Sequence, residues 1–204
     1  DGPDPNPGNQ RGRNPGNLRQ NLILRLMKSL ASFLYHKLMG WTFEGPMPRI
    51  PKCVFAVVPH THWMDFFVGL MIRELIGVQI NFIGKKSLFE GPLGWFFVKA
   101  GGAPVDRSKR SDTVEAIADL FREREEFRLA LAPEGTRKKV DTWKTGFYYI
   151  AIAAEVPIIL VAFDYGKKRV RFSEPMYPSG DYEKDFPKYR EFFKGVVGKV
   201  PEYT

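Results

Sequence analysis

One cysteine, three histidines and no long apolar run set the first limits on this chain of 204 residues. With Cys53 alone, no internal disulfide framework can form, and such usage suits a reducing compartment. Cys53 stands just before a valine-rich run, where a small buried thiol fills space rather than reacts. No stretch of about 18 uncharged apolar residues occurs, so nothing reads as a bilayer-spanning helix, and no signal peptide is visible. Residues 1–17 hold no large apolar side chain but four prolines and four glycines. They cannot bury enough surface to offset their ordering entropy, which predicts a flexible tail. Zinc-finger spacing and RNA-binding aromatic signatures are missing, so nucleic acid is excluded as a partner. Internal repeats are missing too.

What is present is a basic chain, 44% hydrophobic with a net charge of +8. That is enough apolar material for one domain with a core. The charge points to anionic partners, either phosphorylated molecules or a membrane surface. Residues 18–40 predict an amphipathic helix: Leu18, Leu22, Leu26, Leu30, Leu34 and Leu38 recur every fourth residue, widened by Ile23, Met27 and Phe33. Arg19, Arg25, Lys28, His36 and Lys37 interrupt it, and Gly40 ends it. The pattern fits a helix lying in a membrane interface, and equally a helix packed on a core.

Beyond residue 40, strand-like and helix-like segments alternate. Strands are expected at Val54–Val58, Val78–Ile83, Ala103–Asp106, Phe127–Ala132, Ile158–Phe163 and Val170–Phe172. Helices are expected at Phe66–Ile76, across Ser87–Lys99 with a break at Gly91-Pro92, and at Thr142–Ala154 and Tyr182–Val197. Another is expected from Asp112, which with Glu115 reads as a capping box. The Phe89, Leu93, Trp95, Phe96 and Phe97 cluster reads as core or as the wall of an acyl-chain site. The alternation predicts a single α/β domain: a largely parallel sheet flanked by helices, with the N-terminal amphipathic helix attached.

The residues that carry chemistry follow the strand ends. Pro59 stops the Val54–Val58 strand, because it has no N–H for a ladder. His60 then falls at the carboxyl edge of the sheet, and Asp65 in the first turn of the next helix. A carboxylate one loop away can fix the imidazole tautomer and leave the other ring nitrogen free as a base. His60-Thr61-His62 followed by Asp65 is also close to a metallohydrolase H-x-H-x-D-H pattern. The aspartate comes one position late and no histidine follows it, so no metal site is expected and His62 reads as a local hydrogen-bonding group.

His60 and Asp65, with Ala132-Pro133-Glu134-Gly135-Thr136-Arg137, resemble the glycerolipid acyltransferase family, the glycerol-3-phosphate and lysophosphatidate acyltransferases. The family's N-H-x-x-x-x-D motif is matched by His60 and Asp65, with Pro59 in place of Asn. Its F-P-E-G-T-R motif is matched by Pro133 to Arg137, with Ala132 in place of Phe. Gly101 to Arg107 resembles the Gly-rich second motif, and Val156-Pro157-Ile158-Ile159-Leu160-Val161 the fourth, over roughly residues 41–164. With tail 1–17 and interface helix 18–40 read above, the resemblance makes 41–204 the acyltransferase domain.

It further implies transfer of an acyl group from acyl-CoA or acyl carrier protein to a lysophospholipid hydroxyl, giving phosphatidate from 1-acyl-glycerol-3-phosphate. No bound cofactor is implied. His60 and Asp65 would be catalytic. Arg107, Glu134, Gly135, Thr136 and Arg137 would bind the acceptor, and Lys85, Lys86 and Lys144 the donor or lipid. Acyl carrier protein is one implied partner, and the anionic bilayer another, with a cytoplasmic, peripheral (monotopic) location on the inner face of the membrane. Pro59 leaves another acceptor, such as a lyso-aminolipid, open. A non-catalytic membrane-binding protein is the remaining alternative.

Overall fold

The computed structural model describes residues 26, 28–46, 49–84, 86–104 and 110–204, the side chains of 110–112 excepted. Residues 28–32 are helical and pass into a π-helical turn at Phe33–Leu38, together called α1. In chain order there follow β1 (Thr42–Glu44), β2 (Lys52–Val58), α2 (Met64–Ile76), β3 (Asn81–Gly84), α3 (Lys86–Glu90), α4 (Gly94–Lys99) and β4 (Gly102–Pro104). Then come α5 (Arg110–Glu123), β5 (Phe127–Leu131), α6 (Gly146–Ala153), β6 (Ile158–Asp164), β7 (Arg169–Phe172) and α7 (Tyr182–Phe192).

Among the described residues the strands form one seven-stranded sheet in the order β1-β7-β6-β2-β5-β3-β4. Every neighbouring pair is parallel except β6 and β7, which pair antiparallel. The unbroken apolar runs explain the centre. All of β6 is buried, and β2 is buried or nearly so, as strands covered on both faces must be.

Alternate residues of the central strands feed two cores. Val54, Ala56, Leu129, Ile158 and Leu160 pack with Ile117 and Phe121 of α5, Phe147 and Ile150 of α6 and Tyr189 of α7. Cys53, Phe55, Ile159, Val161 and Phe163 point the other way, onto Val68, Ile72 and Ile76 of α2 and onto Tyr35 and Trp41. Burial pushes the Cys53 thiol up to about 12, so it is an inert filler.

Several boundaries differ from the sequence expectation. Helix α5 is already helical at Arg110, so Asp112 lies inside it and does not cap it. Helix α6 starts at Gly146 instead of Thr142, because the Lys144 N–H is held by the Pro133 carbonyl at 2.8 Å and keeps that stretch in the preceding loop. Strand β3 starts at Asn81, not Val78. Of the leucine stripe, Leu18 and Leu22 lie outside the described residues, as do Ile23 and Met27, and residues 1–17 lie outside them too. The face of α1 that packs inward is Ala31 and Tyr35, with Tyr35 stacked on Phe43 at 4.8 Å. Leu26, Leu30, Phe33 and Leu38 are left 58–70% exposed and Leu34 is half-buried, so the described part of the stripe lies mostly outside the core.

Candidate active site

Strand β2 lies between β5 and β6, all parallel, with Ala56 level with Leu131 and Val58 level with Ala162. The loops leaving these neighbouring carboxyl ends must therefore meet. The first carries His60, the second Glu134 and the third Tyr165. The Val58–Pro59 peptide is cis.

Asp65 belongs to the inward stripe of α2, with Val68, Ile72 and Ile76. Its carboxylate is thereby aimed back at the sheet edge. His60 Nδ1 lies 3.1 Å from Asp65 Oδ2, with the Asp65 side chain 2% exposed and that of His60 26%. A carboxylate only accepts, so Nδ1 is assigned as the N–H donor and Nε2 as the free acceptor. The same Oδ2 also accepts the backbone N–H of His62 at 3.0 Å. The Tyr165 hydroxyl donates to Asp65 Oδ1 at 2.7 Å. Burial and the adjoining carboxylate hold the Tyr165 phenol well above its ordinary range, so it stays a donor. Both oxygens of the buried aspartate are thus satisfied, which fixes its rotamer and that of the imidazole it holds.

Glu134 is 8% exposed, and its Oε2 accepts the backbone N–H of His60 at 2.7 Å. The sequence placed Glu134 among the acceptor contacts. The structure turns this carboxylate onto the histidine's own backbone, where it braces the loop. Burial raises its carboxyl above the usual range, partly countered by that hydrogen bond. Gly135 follows with φ +64, the left-handed conformation that favours glycine, and lies against the flexible Lys144 side chain.

Gly135, Thr136, Arg137 and Lys144 line one groove of about 1760 Å³ together with His60 and Asp65. Apolar side chains line the same groove, among them Trp63, Phe66, Phe67, Leu88 and Phe97. Lys86 is not on that lining; it is exposed on α3, 3.4 Å from Glu90. Arg107 and Lys85 lie outside the described residues. His62 is used locally, its Nδ1 accepting the Met64 N–H at 3.2 Å. Among the described residues no group of three or more His, Cys, Asp or Glu side chains is placed to hold a metal ion.

Two contributors were missed by the sequence reading. Tyr165 had no motif; its role is set by β6 lying beside β2. Thr61 is buried, and its Oγ1 accepts the Val200 N–H at 3.1 Å, tying the last residues to the histidine loop.

The fold is thus an α/β protein whose mostly parallel sheet carries a His–Asp pair at its carboxyl edge, with a cationic loop beside it. The chain belongs to the Acyltransferase family, whose profile matches residues 42–164. It is 34% identical over 127 residues to an uncharacterised acyltransferase of Schizosaccharomyces pombe, covering 58% of this chain and 44% of that protein. It is 28% identical over 176 residues to 1-acyl-sn-glycerol-3-phosphate acyltransferase alpha of Mus musculus, covering 81% of this chain and 59% of that protein. With the 1-acyl-sn-glycerol-3-phosphate acyltransferase of Haemophilus influenzae it shares 27% over 193 residues, 86% of this chain and 77% of that protein. The chain spans about half the length of the first two. No solved structure matches it.

Proposed function

We propose that the chain transfers a fatty acyl group from a thioester to the hydroxyl of a lysophospholipid, with 1-acyl-glycerol-3-phosphate as acceptor and phosphatidate as product. The observation that carries this is the His60–Asp65 pair on a groove lined both by the cationic Arg137 and Lys144 and by the apolar Trp63, Phe66, Phe67, Leu88 and Phe97. Two of the relatives named above, those of Mus musculus and Haemophilus influenzae, carry the corresponding activity in their names.

The acceptor oxygen attacks the thioester carbonyl as its proton passes to His60 Nε2. Asp65 stabilises the imidazolium. The tetrahedral intermediate collapses, the carbon–sulfur bond breaks, and the departing thiolate takes the proton back from Nε2. An ester and a free thiol result, with no covalent enzyme intermediate and no prosthetic group. A positioned general base contributes roughly 10²–10⁴ in rate. Arg137 suits the acceptor phosphate, because its planar fork binds two oxygens at once. The donor's acyl chain takes the Phe66–Phe97 wall, and its carrier is CoA or acyl carrier protein.

We further propose peripheral membrane attachment through the exposed face of α1, where Leu26, Leu30, Phe33 and Leu38 stand largely in solvent. No helix among the described residues is long and apolar enough to cross a membrane.

The test is free-thiol release from acyl-CoA with and without lysophosphatidate. Acceptor-dependent release that disappears in His60→Ala supports the reading. Release that ignores the acceptor would make the protein a thioesterase, and no release with either donor, acyl-CoA or acyl carrier protein, would sink it.

A further inference from the structure

The strongest feature outside the site is an apolar patch on α3–α4. Leu93 is 58% exposed, Trp95 68% and Val98 57%, all within six residues. Soluble surfaces scatter such side chains singly; a contiguous cluster marks a contact surface. The patch is rigid. A Cβ on Gly94 would meet the Phe89 carbonyl oxygen at 1.9 Å, so the turn between α3 and α4 is closed as tightly as backbone allows.

An unbroken chain of ring contacts joins this patch to the site. Trp95 touches Phe96 (6.2 Å between ring centres), Phe96 touches Phe97 (5.5 Å), and Phe97 touches Phe66 (5.7 Å). Phe66 touches Phe67 (5.6 Å), and Phe67 touches Trp63 (5.6 Å), in the loop of His60. Phe97, Phe66, Phe67 and Trp63 line the groove, whereas Leu93, Trp95 and Val98 stand outside it. The groove's apolar wall therefore runs without a polar break onto the outer surface.

Charge selects the occupant. The patch is flanked by exposed Lys86 and Lys99; Lys86 is paired with Glu90, which offsets its charge, so Lys99 gives the patch its net positive charge. Tryptophan beside lysine at the rim of an apolar surface is the composition of a bilayer interface, and that charge favours anionic lipid.

We propose that the α3–α4 hairpin is a membrane-inserting surface separate from α1, seating Leu93, Trp95 and Val98 in an anionic bilayer so that the groove's apolar wall meets the lipid. This rests on the lysophospholipid reading above.

The experiment uses the full chain and vesicles of equimolar phosphatidylcholine and phosphatidylglycerol. Brominated acyl chains should quench tryptophan emission, and Trp95→Ala should remove much of that quenching. The double variant L93D/V98D should weaken vesicle binding by about tenfold or more, since each side chain loses its apolar transfer. Its unfolding midpoint should stay near that of the wild type, because these residues are outside the core. Turnover on a short-chain, water-soluble acceptor should also be retained. Full-strength vesicle binding by the double variant with no loss of quenching in Trp95→Ala would overturn the proposal. So would a self-association in sedimentation that the double variant abolishes, which would make a second copy the occupant. If no turnover is seen on any acceptor, the catalytic reading fails while binding and quenching still decide this one.

Discussion

The carboxylate of Glu134 accepts the backbone N–H of His60 at 2.7 Å, linking two loops that are far apart in sequence. The bond clamps the histidine by its main chain, while Asp65 holds it by its ring. Burial raises the Glu134 carboxyl, so the folded chain binds that proton more tightly than the unfolded chain does. The stability due to protonated Glu134 is complete below the ordinary carboxyl range, near about pH 4, and is lost as pH rises through the raised value. Glu134→Gln keeps an acceptor oxygen and removes the charge. Between about pH 4 and about pH 7 the variant should gain stability relative to the wild type. Denaturant titration at both pH values checks this, and a constant difference would disprove it.

His60→Ala should cost roughly 10²–10⁴ in kcat. Asp65→Asn should lose much of the same factor, because the amide can donate to the ring and favour the wrong tautomer. The losses should not add in the double variant, since the two residues act as one unit. Additive losses in steady-state assays would show that Asp65 acts elsewhere.

Tyr165→Phe keeps the edge-on ring contact with Trp41 at 4.8 Å and removes only the hydroxyl bonded to Asp65. A hydrogen bond to a charged acceptor is worth about 1.5–3 kcal/mol. Part of that should appear as a roughly tenfold fall in kcat, with both KM values unchanged. An altered KM with intact kcat would instead place Tyr165 against the substrate.

Arg137 is exposed in the groove, so Arg137→Ala should leave the unfolding midpoint within a degree or so of the wild type. The acceptor KM should rise about tenfold or more, from loss of a charge-assisted contact. Acceptors without a phosphate should be insensitive to the change. Equal effects on both acceptor types would remove phosphate from this residue's role.

Local features were legible in the sequence and topological ones were not. The apolar runs that became β2 and β6 announce strands buried on both faces. The His60–Asp65 spacing spans a single loop, so strand end and helix start suffice to bring the pair together. The Glu134 and Tyr165 contacts depend on β2 lying between β5 and β6, which no local pattern encodes. In α1 the repeated leucines dominate the periodicity, yet Ala31 and Tyr35 make the inward contact. A small residue lets the backbone approach, and one aromatic ring fills the gap beside Phe43. Asp112 looked like a cap because a capping box is defined by residue type and spacing, which also occur inside a helix.

The position of β1 has a consequence for the order of assembly. Its strand neighbour is β7, with Phe43 level with Val170, and β7 is itself held by β6. Among the described strands, β1 therefore has no partner until β7 is in place. Helix α1 waits with it, since Tyr35 stacks on Phe43 and its hydroxyl donates to the Thr42 carbonyl. This segment is thus secured late, because its partner strand is far from it in sequence and closing that loop comes late. During refolding, amide protection at Phe43 should lag behind that at Phe55 in the sheet centre.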